Sequence, residues 1–169
     1  MGNIVLVVIL VLIGVISIFN LTIGKKNRQK ANAHNRDVFG ALRDKAVDEF
    51  GQAKFDKMKK IPYMSDSSNG YILCFDKESD VMAMITYDDV FKMKYSSKKS
   101  FEAIIDGDDR FFNSLVCRIS APELEQDVEI RLAGSRHRRN GFMGKAILQD
   151  AEEMRTIITT GKIPSGKED

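Results

Sequence analysis

The hydrophobic pattern changes period twice along this chain. Ile4 to Ile23 is a run of 20 residues without a charge. As a helix at about 1.5 Å per residue it extends roughly 30 Å, the thickness of a bilayer's hydrocarbon core. Apart from Ser17, Asn20 and Thr22 it is apolar all round, so it offers no face to water. The pattern predicts a transmembrane helix. No Lys or Arg precedes the run and no small-x-small site follows it, which reads as an uncleaved anchor and not a signal peptide.

The period then becomes helical. Over about 32–60, Val38, Phe39, Leu42, Ala46, Phe50 and Ala53 recur at three- and four-residue steps. Asn35 or Asp37 is placed to cap the start, and Gly51 to interrupt the helix before Phe55 and Met58. Pro62 and the polar stretch from Ser65 to Gly70 end it.

Beyond Gly70 the period becomes two. Six strands are marked: Tyr71 to Phe75, Val81 to Tyr87, Val90 to Ser96, Phe101 to Ile105, Leu115 to Ser120 and Val128 to Ala133. The third sets Phe91, Met93 and Tyr95 opposite Lys92, Lys94 and Ser96. Polar turns at 76–80 and 106–109 make this an antiparallel meander with one apolar face to cover. The cover is a last helix with Met143, Ile147, Ala151, Met154 and Ile158 along one stripe. Lys145, Gln149, Asp150, Glu152, Glu153 and Arg155 take the rest of its circumference, and Gly161 its end. The expected organisation is a membrane anchor over 1–24, a basic juxtamembrane stalk over 25–60, a linker over 61–69, a β domain with its closing helix over 70–161 and a flexible tail over 162–169.

Charge adds an orientation. The net charge of +2 is segregated: Lys25 to Lys60 holds eleven Lys and Arg against five Asp and Glu, and the remainder to Asp169 is net −4. Lys25, Lys26, Arg28 and Lys30 flank the apolar run on its C-terminal side, so the positive-inside rule places the N-terminus outside and the bulk of the chain in the cytoplasm, at a cell inner membrane. The same four cations suit an anionic leaflet. Gly14, Ser17 and Asn20 offer a packing stripe to another membrane helix.

Candidate chemistry is sparse. Cys74 and Cys117 sit in apolar strands and read as buried hydrophobes. His34 and His137 are not at metal-ligand spacing with them, and no phosphate loop, nucleophile elbow or paired-acid arrangement stands out. No metal, cofactor, small-molecule substrate or enzymatic activity is expected. The feature with binding chemistry is Arg136, His137, Arg138 and Arg139 just before the closing helix, because guanidinium forks suit phosphate and carboxylate. Lys92, Lys94, Lys98 and Lys99 form a second basic group, and the two would grip an anion together if they shared a rim. Nucleic acid is disfavoured, since the domain is net acidic and its basic loop lacks interleaved stacking aromatics.

A strand ending in Asp76-Lys77-Glu78, a second apolar strand, then Tyr87-Asp88-Asp89-Val90 leading into an alternating strand, resembles the first half of bacterial pleckstrin-homology-like domains. The resemblance covers roughly Gly70 to Gly161. It implies an α+β fold with an antiparallel six- or seven-stranded sheet or barrel closed by a C-terminal amphipathic helix. It also implies a binding or assembly module and no catalysis. The resulting expectation is a single-pass membrane-anchored interaction module that docks a partner protein, a second copy of itself or anionic lipid. The alternative is a structural subunit of a membrane complex assembled through its transmembrane helix.

Overall fold

The computed structural model describes residues 30–163. The chain divides into two compact units after Asp37. Of the first unit, residues 30–37 are described and are helical. The architecture below is that of the second, from Val38 onward.

Helix α1 is described over 30–50 and is already formed at residue 30, so neither Asn35 nor Asp37 caps it. Gly51 stops it with φ at 79°, a left-handed conformation that glycine adopts without a Cβ penalty. Helix α2, Gln52–Lys57, follows at once. Leu42, Ala46, Phe55 and Met58 of this segment are buried against Ile72, Cys74, Ala83 and Ile85, with Val38, Phe39 and Phe50 packed around them. The apolar face expected for the stalk therefore lies on a sheet of its own domain.

That sheet is β1 (Lys59–Met64), β2 (Gly70–Asp76), β3 (Val81–Ile85) and β4 (Val90–Lys94), antiparallel and in chain order. β1 is a strand the sequence pattern missed, because Pro62 reads as a breaker. Pro62 is accommodated because β1 is the edge strand, where an absent N–H need not break a ladder. The second sheet holds β5 (Ser100–Gly107), β6 (Phe111–Ser120) and β7 (Val128–Ala133), with the two-residue β8 (His137–Arg138) paired to the start of β6. Helix α3, Phe142–Thr160, ends at Gly161, whose N–H reaches Ile157 O at 2.8 Å.

The central core lies between the two sheets and α3. Leu73, Phe75, Met82, Met84 and Met93 face it from the first sheet, Phe112, Leu115, Cys117, Ile119, Ile130 and Leu132 from the second, and Ile147, Ala151, Met154, Ile157 and Ile158 from α3. The first sheet is thus covered on both faces, which explains the unbroken burial of β2 from Gly70 to Phe75.

The expected fold class is corrected on two counts. The strands do not form one meander or close a barrel: they make two separate antiparallel sheets, and β4 does not pair with β5. The physical reason sits at the corner between them. Lys99 is buried, and its ammonium donates to the carbonyls of Lys94, Tyr95 and Ser97 at 3.0, 2.8 and 2.7 Å. Ser96 N–H and Oγ donate to the Asp80 carboxylate at 2.8 and 2.9 Å. These bonds fold the chain off the first sheet before β5 begins. The second correction concerns the membrane. Among the described residues no helix is long and apolar enough to cross a bilayer, since α1 and α3 each confine their apolar side chains to part of their circumference. The expected transmembrane helix, single-pass topology and inner-membrane location are not carried forward. The run from Ile4 to Ile23 lies outside the described residues.

The residues that carry the family resemblance do local turn chemistry. The Asp76 carboxylate accepts from Glu78 N–H at 3.0 Å and from Ser79 Oγ at 2.5 Å. Asp89 N–H donates to Thr86 Oγ1 at 3.0 Å, closing the β3–β4 turn.

Candidate functional site

The arginine loop is fixed to the body of the domain by one carboxylate. Asp66, in the turn between β1 and β2, donates its own N–H to Leu132 O at 3.0 Å. Its side chain, 6 % exposed, accepts from Gly134 N–H at 3.0 Å, Ser135 N–H at 3.0 Å, Ser135 Oγ at 2.6 Å and His137 Nε2 at 2.8 Å. Burial by itself would raise this carboxyl, but the hydrogen bonds from Ser135, His137 and the two amides outweigh it and hold the pKa at about 2. The His137 ring rests against Phe112 with centroids 5.5 Å apart.

Asp66, His137 and Ser135 have the composition of a nucleophilic triad but not its geometry. A triad places the acid on one ring nitrogen and the hydroxyl on the other. Here Asp66 and Ser135 both meet Nε2, at 2.8 and 3.2 Å, and the Ser135 hydroxyl donates to Asp66. This cluster is a clasp, and it holds the arginines that follow.

Those arginines differ in their engagement. Arg136 lies over the Phe111 ring with its guanidinium 4.3 Å from the centroid, a cation–π contact. Arg139 donates Nε to Asp108 O at 2.6 Å and its backbone N–H to Arg110 O at 2.9 Å. Arg138 is exposed. Its carbonyl accepts Gly141 N–H at 2.9 Å and leaves no room for a Cβ on Gly144, so the first turn of α3 sits directly on the β8 backbone. Immediately beyond stand Phe142, 87 % exposed, and Met143, 50 % exposed. The stripe read from the sequence put Met143 in the core; the structure begins the buried stripe one turn later, at Ile147.

The rim also contains acid. The amides of Phe111 and Arg110 donate to the Asp108 carboxylate at 2.7 Å each and hold it below the usual range, and Asp109 beside it is exposed. The surface is therefore mixed, with Arg136, Arg138, Arg139, Arg110 and Lys145 against Asp108 and Asp109.

The second basic group does not join it. Lys92 forms an ion pair with Glu49 of α1. Lys99 serves the corner already described, and its burial lowers its pKa. Lys94 and Lys98 are exposed near the strand end where Ser100 pairs with Ser120. The arginine loop adjoins the other end of β6, where Phe111 pairs with Arg138. At roughly 3.3 Å per residue, the two ends of β6 are about 30 Å apart, too far for one small anion to touch both. Lys30 is the first described residue; Lys25, Lys26, Arg28, Gly14, Ser17 and Asn20 lie outside the described residues.

One polar cluster was not legible in the sequence. Glu153 reads as part of α3's charged circumference, yet it is 7 % exposed and accepts from the buried Tyr63 hydroxyl at 3.4 Å. Burial, and then the nearby charges of Glu153 and Asp150, raise the Tyr63 phenol above its ordinary value. Glu153 sits one position before Met154 and four before Ile157, on the margin of the apolar stripe, where burial depends on what the facing strand supplies. Among the described residues no buried side-chain nitrogen or oxygen lacks a hydrogen-bond partner, and no group of three or more His, Cys, Asp or Glu is arranged to hold a metal.

Comparison with family models, with curated proteins and with solved structures finds no match to this chain.

Proposed function

We propose that this chain is a non-catalytic interaction module that docks an acidic protein partner through the rim formed by Arg136, Arg138 and the head of α3. The observation that carries this reading is the exposure of Phe142 and Met143 beside those arginines, on a helix whose later turns are buried. An aromatic ring, a methionine and arginines are the side chains enriched at protein interfaces. The clasp at Asp66 and the close seat of Gly144 on Arg138 hold the backbone of this rim in place, so little ordering cost is left for binding. Asp108 and Asp109 within the rim would repel a uniformly anionic lipid surface, whereas an acidic protein can set its carboxylates on the arginines and a polar or basic side chain on these two acids.

The test is site-specific photo-crosslinking in cells of origin, with the photoreactive residue at Phe142 and, as a control, at the exposed Thr159 near the far end of α3. A discrete protein adduct of acidic character at position 142 and none at 159 is expected. Adducts to lipid alone, or equal adducts from both positions, would overturn the proposal.

A further inference from the structure

A separate feature lies past the far end of α3, about 28 Å along the helix from the rim at 1.5 Å per residue. There the end of α2, the start of β1, the β2–β3 turn, the end of β4 and the residues after α3 enclose an open cleft of about 770 Å³. We propose that this cleft binds a small phosphorylated molecule carrying a flat ring, the chemistry of a nucleotide, as a ligand that is held and not turned over.

Its rim supplies the charge. Lys57, Lys59, Lys77 and Lys162 line it, all exposed, and none forms an ion pair among the described residues. Their neighbours in the same basic run are otherwise engaged: Lys54 lies over the Phe50 ring at 5.8 Å and Lys60 over Phe55 at 4.9 Å. Two carboxylates, Asp76 and Glu78, stand against these four lysines, and the Ser79 hydroxyl and Glu78 amide hold the Asp76 carboxylate in the turn. The excess is two positive charges, and the lysines come from three stretches of the chain, the α2–β1 junction, the β2–β3 turn and the residues after α3.

Its wall supplies the flat surface. Tyr95 stacks on Phe75 with ring centroids 5.9 Å apart and planes 28° from parallel, and Ile163 borders the same space. The Tyr95 hydroxyl donates to Gly161 O at 2.8 Å, which fixes the ring. Gly161 itself takes φ of 69°, and a Cβ there would strike the Tyr95 ring, so helix end and aromatic wall are fitted to one another. A preformed apolar wall with convergent polar groups, at a volume inside the roughly 300–1,000 Å³ range of small-molecule sites, is the usual form of a ligand pocket.

The experiment is a titration of the full-length chain with adenosine triphosphate and, in parallel, with inorganic triphosphate, read by calorimetry and by amide NMR shifts. Saturable binding of the nucleotide is expected, at least fivefold tighter than inorganic triphosphate, with shifts centred on Lys59, Lys77, Tyr95 and Lys162. The double substitution Lys59→Gln with Lys77→Gln should weaken it at least tenfold, whereas Lys145→Gln at the other end of α3 should not. Absence of saturation at millimolar nucleotide would overturn the proposal. Equal affinity for the inorganic anion, or unchanged binding in the double variant, would overturn it as well.

Discussion

At the scale of single residues, Asp66 has the clearest energetic signature. Its carboxyl is held at about 2 in the folded chain, below an ordinary aspartate at about 3.9. Because the folded value is the lower one, the stabilisation is fully present above about pH 4 and is lost as pH falls through the interval down to about 2. The difference corresponds to about 2.5 kcal/mol. Urea unfolding of Asp66→Asn at pH 6 should show a loss of that order, and the gap to the parent chain should close by about pH 2. A constant gap across this range would mean that the clasp is not the source. Gly144 makes a steric counterpart: Gly144→Ala brings a Cβ against the Arg138 carbonyl, with an expected cost of about 1–3 kcal/mol in denaturant midpoint experiments. Residue roles of this kind were only partly legible in the sequence. The positions of His137 and Arg138 before the last helix could be read, but Asp66, 71 residues from His137, could not be joined to them by any local pattern. Lys99 shows the converse, a cation that sequence reading places on a binding surface and tertiary structure spends on three backbone carbonyls.

At the scale of elements, periodicity carried the helices and the central strands, and failed at edges and corners. The stripe from Val38 to Phe50 was visible, although its destination on the outer face of the first sheet was not. β1 escaped because Pro62 argues against a strand until the strand is known to be at an edge. The separation into two sheets escaped because the corner at Tyr95 to Lys99 is built from side chain to backbone bonds that leave no periodic trace. The docking of α1 makes a direct prediction: Leu42→Ala, at a position 2 % exposed, should lower unfolding free energy by about 2–5 kcal/mol, and an unchanged value would show that α1 does not pack on the sheet. The cysteines report on the same layering. Cys74 faces α1 and α2 while Cys117 faces the central core, and burial pushes each thiol up to about 12. Neither should react with a maleimide at pH 8 in the native chain, and both should react rapidly in urea; fast native labelling of either would contradict the assignment of these two layers.

At the scale of the whole molecule, the described body has its candidate surfaces at the two ends of α3, the arginine rim at the head and the lysine cleft past the tail. The sequence shows the arginine loop and the group Lys92, Lys94, Lys98 and Lys99, but only the register of β6 shows that these two stand apart. The central claim is that the side chains of Phe142 and Arg138 are exposed for contact and are not needed for the fold. The most direct test is the variant Phe142→Ser with Arg138→Glu, with thermal midpoint and yield of co-purified partner measured side by side. The account predicts a midpoint within about 2 °C of the parent, as for surface substitutions generally, together with loss of the partner. A marked fall in the midpoint, or full retention of the partner, would contradict it.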